Sequence, residues 1–261
     1  MPPVPSVAKL IVGFAVMALV FMTLERFAAA TPRKPLFRRE RAVDFAWWFF
    51  TPWVTKTAST LAAIVAIIVA TLFVRLISGA DPSARWIEAQ PRALQIVEML
   101  VLADLLGYGA HRLFHGRTLW RFHAIHHSAE DLDWLAATRM HPVNDVLMTV
   151  LQFVPLYLIG FRGETLTALV PLLSVYALLL HANLRWDFGP LRYVIASPAY
   201  HRWHHTSEAE GLQRNFAGLF PWIDMLFGTL YLPRDRHAQR FGLEGDQVPR
   251  SLLAQLAYPF R

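Results

Sequence analysis

Val101-Leu-Ala-Asp104-Leu-Leu-Gly-Tyr-Gly-Ala-His111-Arg-Leu-Phe-His115 closes an apolar stretch with two histidines, and His123-Ala-Ile-His126-His127 follows directly. Further along, His201-Arg-Trp-His204-His205 repeats the spacing of the second group. Eight of the eleven histidines thus fall in three clusters whose members are three or four residues apart wherever they are not adjacent. Residues at those separations share a helix face, so each cluster can aim its imidazoles at a common point. Imidazole suits iron, zinc, copper and nickel. First-row ions usually take about four to six ligands, so eight imply two metals.

Working outward, the chain has 261 residues, 55% of them hydrophobic and only 17% charged, with a mean hydropathy of +0.33. A soluble domain is nearer 45–50% apolar and about 25% charged, so membrane residence is the better class. Cysteine is absent, which excludes disulfides, iron–sulfur clusters and thiolate-held zinc. Any metal must therefore be held by nitrogen and oxygen. The net charge of +6 does not indicate nucleic acid: the basic residues flank apolar runs, and no reader motif accompanies them.

The first run, about residues 7–30, is long enough to cross a bilayer. The competing reading is a signal peptide, with Phe27-Ala-Ala-Ala30 as cleavage site; a weak basic start and Glu25-Arg26 favour a retained helix. A basic stretch follows (Arg33, Lys34, Arg38, Arg39, Arg41), then the aromatic segment from Phe45 to Trp53. That segment either lies in the headgroup zone or is the wet end of the next helix. Further spans are expected at 59–77 and 93–110, the second carrying Glu98 and Asp104. Two more follow at 146–161 and 165–184, a hairpin separated by Arg162-Gly-Glu164. Loop 31–57 carries six Lys or Arg and loop 78–93 carries two, so the first is expected to be cytoplasmic. Counting spans from there brings all three histidine clusters to the same side.

The expected architecture is all-α: an integral membrane bundle of about four to five membrane helices or hairpin segments, with a cytoplasmic histidine-rich cap. Within one structural domain, residues 1–92 read as anchor, 93–235 as the metal region and 236–261 as a tail. No His-Glu-x-x-His motif is present, and no carboxylate lies inside the clusters. A metal transporter would spread its ionisable residues along several spans, whereas here they gather at one membrane face. A zinc-dependent lipid hydrolase would need a general base beside the metal.

The string from Asp104 through Ser128 resembles the fatty acid hydroxylase / sterol desaturase superfamily. So do Arg139-Met-His141-Pro142, His181-Ala-Asn183, Ser197-Pro-Ala-Tyr-His201-Arg-Trp-His204-His205, Asn215-Phe-Ala-Gly218 and Trp222-Ile-Asp224-Met-Leu-Phe227-Gly-Thr229. The likeness covers about residues 95–231 and includes all three boxes in order.

The resemblance implies an integral membrane di-iron oxygenase acting on an unactivated C–H bond of a lipid, with hydroxylation favoured over desaturation. Zinc could occupy the site in purified protein but cannot do that redox chemistry. Lipid and O2 would be the substrates. Electrons must come from a separate partner, a reductase with a cytochrome b5-like or ferredoxin-like carrier. The cations Arg112, Arg117, Arg121, Arg202 and Arg214 would attract either that carrier or lipid headgroups.

As ligands the resemblance implies His111, His115, His123, His126, His127, His201, His204 and His205. His181, at the end of an apolar helix, is the ninth candidate. His141 reads equally as a ligand or as a partner of one, and Asn183 as holding a metal-bound water. Metal-bound imidazoles commonly donate their other N–H to a carboxylate, which makes Asp104, two turns before His111, the leading partner, then Asp224 and Asp187. Glu98 has no assigned role. His237 lies in a charged run and is excluded. Trp134, Tyr200, Trp203 and Phe216 would line a lipid tunnel or form ordinary core.

Overall fold

The computed structural model describes residues 5–31, 40–79, 85–245 and 248–261. Arg33, Lys34, Arg38 and Arg39 of the basic stretch, and Ala80 to Pro82 of the second loop, lie outside them. Among the described residues the chain is helical, with a lone bridge between Thr206 and Phe241 as its only extended pairing.

Helix α1 (Val7–Ala28) opens on Ser6, whose hydroxyl accepts from the Lys9 N–H at 3.3 Å. Helix α2 (Arg41–Phe50) passes through a π-helical turn at Thr51–Thr55 into α3 (Lys56–Ser78) without a break. Pro52 has no N–H to give the ladder, and the Lys56 N–H reaches back five residues to the Thr51 carbonyl. The aromatic segment is thus continuous with the second candidate span, as its N-terminal part. Gly79, at φ 66°, supplies the left-handed residue that ends α3.

A short α4 (Arg85–Glu88) precedes α5 (Arg92–Phe114), which starts after Pro91 and carries the first histidines; α6 (Trp120–His127) carries the second cluster. Helix α7 (Pro142–Ile159) has Pro142 at its first position, where the missing N–H costs nothing. Helices α8 (Gly163–Ala168) and α9 (Val170–His181) together make the fifth span. Beyond it, among the described residues, the α-helices are short: α10 (Pro198–His204), α11 (Pro221–Leu226) and α12 (Leu252–Ala257).

Among the described residues, five helices are long and apolar enough to cross a membrane: Val7–Ala28, Arg41–Ser78, Arg92–Phe114, Pro142–Ile159 and Gly163–His181. Their outward side chains are apolar; Val69, Leu72, Phe73 and Leu76 of α3, for example, are exposed. Helix α7 packs between α3 and α5. Helix α1 packs through Phe21 against Trp134 and Leu135 of the 3₁₀ turn at Trp134–Thr138, and against Leu178 of α9.

Both ends of the bundle are tied. At one end Arg162 grips both carboxylate oxygens of Glu88 at 3.0 Å, joining the loop after α3 to the turn after α7. At the other end Lys56 and Ser59 hold Asp145 at 2.7 and 2.6 Å. The last turn of α5, the first turn of α7 and the last turn of α9 meet at this second end, and all three histidine clusters gather there, as span counting requires.

Candidate metal centre

Nine imidazoles form two groups. His111, His115, His123, His127 and His204 make one; His126, His181, His201 and His205 make the other, and within each group the ring nitrogens lie within 4.8 Å of one another. The second and third boxes do not each aim at one point. On a helix, i and i+4 lie about 40° apart, whereas adjacent residues lie about 100° apart. His123 and His127 therefore share a group while His126 turns to the other, and His201 and His205 share a group while His204 turns away. The groups touch where His127 and His205 stack, with ring centroids 4.3 Å apart.

Protein acceptors fix the tautomer of five rings. The Nδ1–H groups donate from His111 to the Phe216 carbonyl at 2.8 Å, His126 to the Arg139 carbonyl at 3.0 Å and His181 to the Ala177 carbonyl at 2.8 Å. Likewise His204 donates to the Arg214 carbonyl at 2.9 Å and His123 to Asn144 Oδ1 at 2.9 Å. Each proton on Nδ1 leaves a lone pair on Nε2. Those lone pairs converge: His111 and His123 Nε2 are 3.0 Å apart, and His126 and His181 Nε2 are 3.1 Å apart. No proton is left to lie between them, so the contacts are repulsive unless a cation intervenes. With metal–nitrogen bonds of about 2.1 Å, neighbouring ligands around one ion sit roughly 3.0–3.4 Å apart, which these separations match. The Nε2 atoms of His115 and His204 are buried and without a protein partner. The donor set fits two first-row ions, one per group.

Burial holds the imidazoles outside the spans neutral. His115, His123, His126, His127, His201, His204 and His205 all sit well below the ordinary imidazole range, chiefly by loss of hydration and secondly by mutual repulsion. Neutral rings are the ones that ligate.

Several expected partners stand elsewhere. His141 caps α7: its Nδ1 accepts from the Val143 N–H at 3.1 Å, its Nε2 donates to the Leu256 carbonyl at 3.2 Å, and it belongs to neither group. Asn183 spends its amide on Thr31, accepting from the N–H at 3.0 Å and donating to the carbonyl at 3.1 Å.

Asp104 touches no imidazole; it accepts the Gly218, Leu219 and Phe220 N–H groups at 2.7, 3.1 and 2.7 Å. A Cβ on Gly218 would stand 3.3 Å from that carboxylate. Asp224 likewise accepts from the Phe216 and Ala217 N–H groups at 2.8 and 2.9 Å and from the Tyr200 hydroxyl. Both carboxylates therefore orient the 216–220 loop, and the loop's Phe216 carbonyl orients His111. Asp187 pairs with Arg192 at 2.8 Å. Arg202 is buried, donating to the Leu132 carbonyl at 2.9 Å beneath the Phe241 ring, and is removed from the surface cations. Trp134, Tyr200 and Trp203 are core; Phe216 borders the site, 5.1 Å from the His115 ring.

Asn144 and Arg139 are the contributors that spacing does not reveal. Asn144 sits in the first turn of α7, where the His141 cap starts the helix and brings its amide to His123. Arg139 places its carbonyl on His126 because its buried guanidinium is gripped by Asp44 and by Glu40, the latter at 3.2 Å.

The fatty acid hydroxylase family pattern matches residues 96–229. The chain is 37% identical over 177 residues to the ornithine lipid hydroxylase OlsE of Rhizobium tropici, a stretch covering 67% of this chain and 53% of that protein. It is 32% identical over 133 residues to the alkylglycerol monooxygenase of Homo sapiens, covering 47% of this chain and 27% of the relative. A very-long-chain aldehyde decarbonylase of Oryza sativa subsp. japonica is 27% identical over 140 residues, covering 52% and 46%. The chain thus spans about half the length of the first of these and less of the others. No solved structure matches. With a family match over half its length and all nine clustered histidines inside that stretch, the chain belongs to the fatty acid hydroxylase family.

Proposed function

We propose that the chain is a membrane-bound di-iron oxygenase that hydroxylates a C–H bond of a lipid. The observation that carries this reading is the convergence of two sets of neutral Nε2 lone pairs at one end of an apolar bundle. The balance is R–H + O2 + two electrons + two protons giving R–OH + H2O, with the electrons delivered by a separate carrier. Two bound irons would supply the redox chemistry that reduces O2. His111, His115, His123, His127 and His204 would hold one, and His126, His181, His201 and His205 the other.

The chain's own residues keep those ligands neutral, oriented and dry. Asp104 and Asp224 brace the Phe216 carbonyl behind His111. Asn144 and the Arg139 carbonyl fix His123 and His126. Phe216 packs against the first group, beside His111, His115 and His204. Asp104 and Asp224 are committed to loop N–H groups, so neither serves as a hydrolytic base, which disfavours a zinc hydrolase. The relatives named as a lipid hydroxylase and an alkylglycerol monooxygenase support a lipid substrate and insertion of oxygen in place of desaturation. The basic stretch before α2 supports a cytoplasmic location for the histidine end.

The test is to load the purified chain with iron in lipid discs, supply a reductase and carrier, and measure metal content, O2 uptake and lipid masses. Two irons per chain, and a lipid heavier by one oxygen, are expected. An iron-loaded, reduced sample that consumes no O2 with any lipid class would refute the assignment.

A further inference from the structure

The five spans do not account for all of the apolar surface on this protein. Beyond the last of them, Trp222, Met225, Leu226 and Phe227 are 37%, 53%, 69% and 47% exposed. Between Phe216 and Tyr231 the only charged residue is Asp224, which is fully buried. A contiguous exposed apolar face of this kind marks a membrane, ligand or protein contact.

The segment is fastened to spanning helices, inward of the histidines, from two sides. Asp104 takes three of its N–H groups, from Gly218 to Phe220. At 1.5 Å per residue, Asp104 lies roughly 15 Å from the end of α5, and the whole helix is roughly 34 Å long. The loop is therefore attached near mid-depth of that span. On the other side the Ala196 N–H donates to the Leu219 carbonyl at 2.8 Å, and the Tyr176 hydroxyl of α9 donates to the Ala196 carbonyl. Tyr176 lies five residues before His181, roughly 7–8 Å further into the bundle. Phe227 stacks on Tyr108 of α5 at 4.8 Å.

Irregular backbone at bilayer depth must have its polar groups satisfied by protein. Many of them are: besides the N–H groups given to Asp104 and Asp224, Asn215 donates to the Tyr200 and Tyr231 carbonyls at 2.9 and 2.8 Å and accepts the Tyr231 N–H at 2.7 Å. Thr229 gives its hydroxyl to Asp224 at 2.7 Å.

We infer that residues 216–231 form a re-entrant element immersed in one leaflet, wedged between α5 and α9, with Trp222, Met225, Leu226 and Phe227 in contact with lipid acyl chains. It continues the lipid-facing surface of α5 without crossing the membrane. It also forms the inner floor of the histidine site, which is thereby sunk toward acyl-chain depth.

The absence of cysteine permits a direct test on the full chain in phosphatidylcholine vesicles. Met225→Cys and Leu226→Cys are labelled singly with a nitroxide, and Leu253→Cys on α12, 78% exposed at the cap, serves as the aqueous reference. Spin relaxation by O2, which concentrates in lipid, is compared with relaxation by a water-soluble nickel chelate. O2 is expected to dominate at 225 and 226, and nickel at 253. Dominant nickel relaxation at 225 and 226 would place the face in water and overturn the inference. Protection from both relaxants would place it against protein, a second copy included, and would overturn it equally. The readout is independent of turnover, so it stands whatever reaction the site performs.

Discussion

Replacing Asn144 by Leu removes the one side-chain acceptor behind a clustered imidazole while nearly preserving volume. The His123 Nδ1–H, 2.9 Å from Asn144 Oδ1 and buried, would then have no partner. An unsatisfied buried donor costs about 1–3 kcal/mol. The ring can escape that cost by moving its proton to Nε2, which destroys the lone pair aimed at the first group. Either route weakens metal binding, and loss of such an outer partner typically costs about 10–100-fold in affinity, or roughly 1.4–2.7 kcal/mol. The assay is iron retained per chain during titration with a graded chelator, alongside thermal unfolding of the metal-free protein to confirm folding. Asn144→Asp, which keeps an acceptor at Oδ1, should retain more iron than the Leu variant. A folded Asn144→Leu protein with an unshifted chelator midpoint would refute the claim that the tautomer of His123 governs the first ion.

His204→Ala should lower metal content and abolish turnover; full activity would remove the third box from the centre. Asp104→Asn replaces an acceptor of three N–H groups by an amide that must turn a donor toward one of them, so it should cost about 1–3 kcal/mol and loosen the Phe216 carbonyl behind His111. Urea unfolding together with iron content would register both effects, and unchanged values would free the loop from that role. Arg139→Met removes the buried cation that grips Asp44 and Glu40 and should destabilise by about 3–5 kcal/mol, measured as a lowered unfolding midpoint.

The metal-free protein should also lose stability in acid. Its buried histidines stay neutral when folded but protonate near pH 6.5 when unfolded. Stability is then fully present above that pH and falls below it, by about 1.4 kcal/mol per pH unit for each such histidine. Unfolding midpoints at pH 7.5 and 5.5 measure it, and equal midpoints would contradict the burial of these rings.

The spans were legible because bilayer-length apolar runs leave a coarse signal that survives errors of several residues at each end. The gathering of the histidines at one end followed from counting those spans. Which ring goes with which was less legible. The pairing depends on the 100° step between His126 and His127, which box spacing contains but a reading by clusters conceals. The acceptors behind the rings were hidden for a different reason. Phe216, Arg139, Ala177 and Arg214 act through carbonyls, which every residue possesses. Asp104 and Asp224 looked suited to imidazoles because carboxylates often accept from them. The loop between them, however, carries a row of N–H groups with no helix or sheet to take them, and those are what the two aspartates bind.

Because α6 and α10 each send side chains to both groups, the centre cannot be assembled one half at a time. Seating an ion in either group sets the rotation of the two helices that also furnish the other. The first ion should therefore raise the affinity for the second, and sub-stoichiometric iron should distribute as fully loaded and empty chains in preference to half-filled ones. For the same reason, deleting the second or the third box would strip ligands from both groups at once. On the proposed two-ion reading, the unit that must be kept whole is the interleaved pair of short helices.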